Sequence, residues 1–131
     1  MTNITEFYDN NEISKLPDSL LTMVQETFRL LNIENSLLEV NYVSNDEIRE
    51  LNKRYRKIDK STDVLSFPQP EILGRGVRLL GTIVIAPAVV EEKDERIEDV
   101  IKHGILHLLG FDHESDPNSW EKVASIINCE L

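Results

Sequence analysis

Apolar residues recur along the chain in two periods, and the switches between them mark out alternating helices and strands. Leu20, Leu21, Val24, Phe28 and Leu31 fall at helical spacing behind Pro17, a residue suited to a first helical turn, so a helix is predicted over 17–31. Over 37–43 the period shortens to two, with Leu38, Val40 and Tyr42 alternating against Glu39 and Asn41, and a strand is predicted. Ser44-Asn-Asp-Glu47 has the form of a capping box and leads into a short helix carrying Ile48, Leu51 and Tyr55. Residues 64–67 read as a strand stopped by Pro68 and Pro70, 74–76 as a flexible turn, and 77–85 as another strand with Gly81 inside it, both strands mostly buried. From about Glu95, the residues Ile97, Val100, Ile101, Ile105 and Leu108 set a helical stripe that runs until Gly110. Asp116-Pro117 opens a last helix through Trp120, Val123, Ala124 and Ile127.

Composition narrows the class. The 131 residues, 40% of them hydrophobic, suit one folded domain over 1–131, and there are no repeats or low-complexity tracts. No apolar run reaches the roughly eighteen residues of a membrane span, and the first residues lack a basic region followed by an apolar core. The expectation is a chain neither secreted by a signal nor embedded in a membrane. A single cysteine, Cys129, excludes an intramolecular disulfide and any multi-cysteine metal site, and fits a reducing, cytoplasmic compartment. The net charge of −10 argues against holding nucleic acid by overall attraction, so a polyanion would have to be met locally. Lys53, Arg54, Arg56, Lys57 and Lys60 form the one concentrated basic run, with Arg75 and Arg78 a second small group. On its own such a run reads as a solvated helix face.

All three histidines lie in one window, His103-Gly-Ile-Leu-His107-Leu-Leu-Gly110-Phe-Asp-His113. Residues i and i+4 share a helix face, so His103 and His107 can aim ring nitrogens at one point about 2 Å away, as a metal demands. Gly110 can take a left-handed conformation that reverses the chain and carries His113 to the same point. Three protein ligands with a fourth position left to water is the pattern of catalytic zinc. A divalent zinc on neutral imidazoles lowers the pKa of bound water to about 7 and polarises a carbonyl or phosphoryl oxygen, so hydrolysis is the chemistry implied. The spacing is also that of the elongated zinc-peptidase motif, whose general base is a glutamate after the first histidine. Here that position is Gly104, which can accept no proton, and the peptidase reading weakens accordingly.

With this block and Leu51-Asn-Lys-Arg-Tyr-Arg56-Lys-Ile-Asp59-Lys-Ser-Thr62-Asp63-Val-Leu-Ser-Phe67-Pro68, the chain resembles the YbeY family of bacterial ribosomal-RNA maturation endoribonucleases, from about Ser44 to His113. The resemblance implies an α+β single domain, with a small mixed β-sheet packed against helices and a metal-binding helix near the C-terminus. It implies one zinc ion held at His103, His107 and His113, and the family's functional arginine matches Arg56. It further implies single-strand-directed RNA cleavage in 3′-end maturation of small-subunit ribosomal RNA and in ribosome quality control. Ribosomal RNA and the small ribosomal subunit are the implied partners, with no DNA and no membrane. The chain departs from the family at Thr82, commonly acidic, and at Ser61, often proline. The 87–99 segment also looks shorter than usual.

The residues support the transfer on an independent point. Phosphoryl transfer needs positive charge where negative charge builds up, and Arg56 can hold a phosphate bidentately, whereas Lys57 and Lys60 act as point charges and read as substrate-binding. Asp112, beside His113, either orients a ligand imidazole or caps the turn. Asp63 and Glu114 are weaker candidates for proton transfer and read first as structural. Phe67 offers a face for a base, but a strand phenylalanine in an apolar run reads as core. Two rivals stand beside the nuclease: a zinc hydrolase of another substrate, and a non-catalytic ribosome-assembly protein stabilised by its metal.

Overall fold

A computed structural model describes residues 3–130, with the side chain of Arg75 outside that description. The strands are β1 (Ile4–Asp9), β2 (Glu12–Ser14), β3 (Ser36–Tyr42), β4 (Val64–Ile72) and β5 (Arg78–Ile85). The helices are α1 (Asp18–Leu30), α2 (Asn45–Arg56), α3 (Pro87–Glu92), α4 (Ile97–Leu108) and α5 (Pro117–Ile127). They build an α+β fold on one mixed sheet ordered β2-β1-β3-β5-β4. The β1/β3 and β3/β5 pairs are parallel, and the β1/β2 and β4/β5 pairs are antiparallel.

Alternation along the central strands sorts the core onto two faces. Leu38, Val40, Ile83 and Ile85 turn toward α1 and α4, where Val24, Phe28, Val100, Ile101 and Ile105 are buried against them. Val84 and Leu65 turn the other way and pack with Ile48 of α2. Behind α4, Leu106 meets Trp120, Val123, Ala124 and Ile127 of α5.

The helices over α1, α2, α4 and α5 and the strands β3 and β5 lie within a residue or two of the pattern-based expectation. Ser44 Oγ accepts the Glu47 amide, which is half of the expected capping box. The other half is replaced, because the Glu47 carboxylate takes the Asn11 side-chain amide instead.

Three features differ. β4 continues through Pro68 and Pro70 to Ile72 instead of stopping at Phe67. It is an edge strand, so a missing N–H there costs no ladder partner on the open side, and the ladder with β5 shifts register between Pro68 and Glu71. For the same reason β4 is exposed from Pro68 onward, while β5 is buried as expected. Gly81, at φ +141°, lets the strands approach, since a Cβ there would stand 2.3 Å from the Phe67 carbonyl oxygen. The β1–β2 hairpin and α3 are additional elements. Asn10 and Asn11 both have positive φ, the backbone of a two-residue hairpin turn.

Candidate metal centre

The end of α4 is closed by a Schellman motif. Gly110 has φ +94°, its amide bonds the His107 carbonyl at 3.0 Å, and the Phe111 amide reaches back to the Leu106 carbonyl at 3.0 Å. The chain therefore reverses at Gly110, as the sequence allows, and His113 returns over the face that carries His103 and His107. Asp112 and Asp116 shape the turn that follows: Asp112 Oδ1 accepts the Glu114 amide, and Asp116 Oδ1 accepts the Ser119 amide at the start of α5.

The three imidazoles each offer a ring nitrogen within 4.8 Å of the others, and Nε2 of His103 and Nε2 of His107 are 3.0 Å apart. Two nitrogens bound to one zinc at tetrahedral angle would be separated by about 3.3 Å, so the arrangement fits that ion's donor set. Burial, reinforced by the neighbouring His107 and His113, pushes the His103 pKa down to about 4, and Asp63 opposes this only in part. Burial, His113 and the Arg56 charge also hold His107 below the ordinary histidine value. Neutral rings with free lone pairs are the state a metal needs.

What fixes the rings is an indole. Trp120, 6% exposed, has its ring centroid 4.9, 5.2 and 5.2 Å from those of His103, His107 and His113. His103 Nδ1 is enclosed without a hydrogen-bond partner among the described residues, so packing, not a carboxylate, orients that ring. Trp120 had been legible in the sequence only as an apolar member of the last helix.

A cavity of about 640 Å³ opens over the imidazoles and straddles the free edge of β4. On one side, α2 contributes Tyr55 and Arg56; on the other stand His103, His107 and His113, with residues 62–68 between. Ser66 Oγ reaches the Gly104 carbonyl at 3.4 Å and ties the strand to α4. The loop 57–60 is held by Asn52, whose side-chain amide donates to the Lys60 carbonyl at 2.9 Å, and by the Arg49–Asp59 ion pair at 2.8 Å.

The comparisons with known proteins agree in one direction. A family model described as "Endoribonuclease YbeY" matches residues 2–126. The chain belongs to the YbeY family. Among curated proteins, it is 49% identical to the endoribonuclease YbeY of Aliarcobacter butzleri, covering 70% of this chain and 73% of that one. It is 40% identical to the endoribonuclease YbeY of Sulfurihydrogenibium, covering 77% and 76% respectively. Among solved structures, the solution structure of TM1509 from Thermotoga maritima is similar, with a TM-score of 0.56 and 32% identity over 95% of this chain and 87% of that one. The YbeY match thus extends well beyond the 44–113 span over which the motifs alone carried the resemblance.

Within this YbeY fold the remaining candidates separate. Arg56 lines the cavity, whereas Lys57 and Lys60 are exposed and do not. Lys57 has φ 62° and caps the end of α2. Asp112 lines the cavity, and the backbone amides of Glu114 and Ser115, which its carboxylate accepts, hold it below the ordinary carboxylate range. Glu114 is exposed at the rim. Thr82 lies outside the lining and donates to Glu39 across the sheet. Arg78 is exposed at the start of β5.

Asp63 is drawn into a second arrangement that the sequence did not disclose. Its Oδ1 accepts the Val64 amide and the Thr62 hydroxyl and stands 3.6 Å from Lys93 Nζ. Burial raises the Asp63 pKa, but a hydrogen bond from the Glu95 carboxyl and the Lys93 charge outweigh it and hold Asp63 low. Burial, that same hydrogen bond and the Asp63 charge push Glu95 up to about 7. Thirty-two positions separate the two carboxyls along the chain, beyond any local pattern.

Proposed function

We propose that this chain is a zinc-dependent endoribonuclease that cleaves single-stranded RNA during 3′-end maturation of small-subunit ribosomal RNA and in ribosome quality control. The observation that carries the reading is the convergence of three imidazoles on one point, across a strand edge from an exposed arginine. Support comes from the family, whose members are named as endoribonucleases.

His103, His107 and His113 hold the ion. Zinc at that point supplies Lewis acidity toward a phosphoryl oxygen and a lowered pKa for water it binds. Arg56 faces the same cavity from α2, and its planar guanidinium grips a phosphodiester bidentately and steadies the charge that develops during cleavage. Lys57 and Lys60, outside the cavity, raise the local potential along the approach of the strand. Asp112 keeps a negative charge beside His107 and His113 and stabilises the turn that presents His113. Trp120 holds the rings in register.

A net charge of −10 makes naked RNA a weak ligand, so docking within a ribosomal particle supplies the remaining affinity, and binding is strongly salt-dependent. The lone cysteine fits a cytoplasmic setting, and no helix among the described residues is long and apolar enough to cross a membrane.

The test is cleavage of a single-stranded oligoribonucleotide and of its duplex, with and without a chelator. Cleavage of the single strand that stops with chelator and returns with zinc supports the reading. Cleavage of a peptide instead, or RNA binding without cleavage in the metal-loaded protein, contradicts it.

A further inference from the structure

The cavity wall opposite the imidazoles carries an aromatic ring that the proposed chemistry leaves unused. Tyr55 is 59% exposed, whereas the other aromatic side chains are buried or half-buried. Its ring forms a T-shaped pair with Phe67, with centroids 5.2 Å apart at 71°, and Phe67 is itself packed against the α2 side of the core. This contact restrains the Tyr55 ring, which stays largely exposed and lines the cavity. Arg56 is the next residue, so a phosphate grip and an aromatic platform sit side by side at the end of one helix.

We infer that Tyr55 is a base-stacking platform that seats one nucleobase of a single-stranded RNA while Arg56 holds an adjacent phosphate. The inference rests on the nuclease reading above and adds the element that selects single strands. A nucleobase offers its face to a ring only when it is free of a duplex stack, and every base has such a face, so the preference would be for strandedness over sequence. Phe67, which reads from the sequence as core rather than as a stacking face, serves as the buttress.

The experiment compares wild type, Tyr55→Ala, Tyr55→Leu and Tyr55→Phe on single-stranded oligoribonucleotides carrying one abasic residue, moved stepwise through the cleaved region. Tyr55→Leu keeps bulk against Phe67 without an aromatic face, and thermal melting of each variant reports folding separately. Tyr55→Ala and Tyr55→Leu are expected to raise KM roughly tenfold with a smaller change in kcat, and Tyr55→Phe to recover most of the loss. At one abasic position wild type should lose a similar factor, and there the Tyr55→Leu substitution should add no further loss. Unchanged KM in folded Tyr55→Ala and Tyr55→Leu, or losses that multiply at every abasic position, would overturn the platform while the nuclease reading stands. A wild-type protein that cleaves none of the oligomers removes both.

Discussion

A Cβ on Gly104 would lie 2.9 Å from both Cδ1 and Cγ2 of Ile83, closer than packed carbons tolerate. Gly104 follows the first histidine, where a zinc peptidase of similar spacing carries its glutamate base. In this fold that position faces β5, not the cavity, so the departure from the peptidase motif is a packing requirement as well as a chemical one. Gly104→Ala is expected to cost about 1–3 kcal/mol in urea unfolding through overpacking. Gly104→Glu, which would bury a carboxylate against Ile83, is expected to give insoluble protein and no peptidase activity.

Arg56 is exposed, so its truncation should leave folding intact and report chemistry. Arg56→Ala is expected to reduce cleavage of single-stranded RNA by roughly 100-fold, with thermal stability and metal content unchanged. Arg56→Lys should recover only part of that, because a point charge replaces a fork. Equal activity of Arg56→Ala and wild type would remove the arginine from the mechanism.

The single tryptophan provides an internal reporter. Trp120 touches all three imidazoles, so titrating zinc into metal-free protein should change its fluorescence with a one-to-one end point. Trp120→Phe keeps an aromatic ring of smaller span and is expected to weaken zinc binding by about tenfold, as loss of a positioning contact around metal ligands typically does. A silent tryptophan would mean the ion sits elsewhere.

The Asp63–Glu95 pair sets a pH signature. Glu95 titrates at about 7 in the fold against an ordinary 4.5, so between those values the folded chain keeps a proton that the unfolded chain has lost. Its contribution to stability is full below about 4.5 and disappears as pH rises through 7. Glu95→Gln, with nothing to ionise beside Asp63, should therefore gain stability relative to wild type as pH rises from 4.5 to 7, measured by urea unfolding. In metal-free protein, His103 acts with the opposite sign. Its pKa falls from 6.5 to about 4, so stability is lost as pH drops across that interval. A constant difference between Glu95→Gln and wild type at all pH values would dismiss the shared proton.

The parts of this molecule that were legible in sequence are those written in local periodicity. The stripes of α1, α4 and α5 and the i, i+4 histidines follow from 3.6 residues per turn, and Gly110 announced the reversal that brings in His113. The prolines of β4 misled because their cost depends on whether a neighbour strand exists, and edge position is a property of the whole sheet. β1 was invisible because only Phe7 of its six residues is buried, leaving no clean alternation to detect. The Trp120 stack and the Asp63–Glu95 pair depend on contacts between distant elements, and each residue alone looked ordinary. Lys57 and Lys60 show the converse: nearness in sequence to Arg56 did not carry them into the cavity, because the chain turns left-handed at Lys57.

The most direct measurement is the metal content of purified wild-type protein beside His107→Ala, by elemental analysis, with cleavage of single-stranded RNA assayed on the same samples. The expected result is one zinc per chain in the wild type, a large loss of zinc in His107→Ala, and cleavage that falls in proportion. Wild-type protein that cleaves RNA with no bound metal, or a His107→Ala variant that keeps both zinc and activity, would contradict the account.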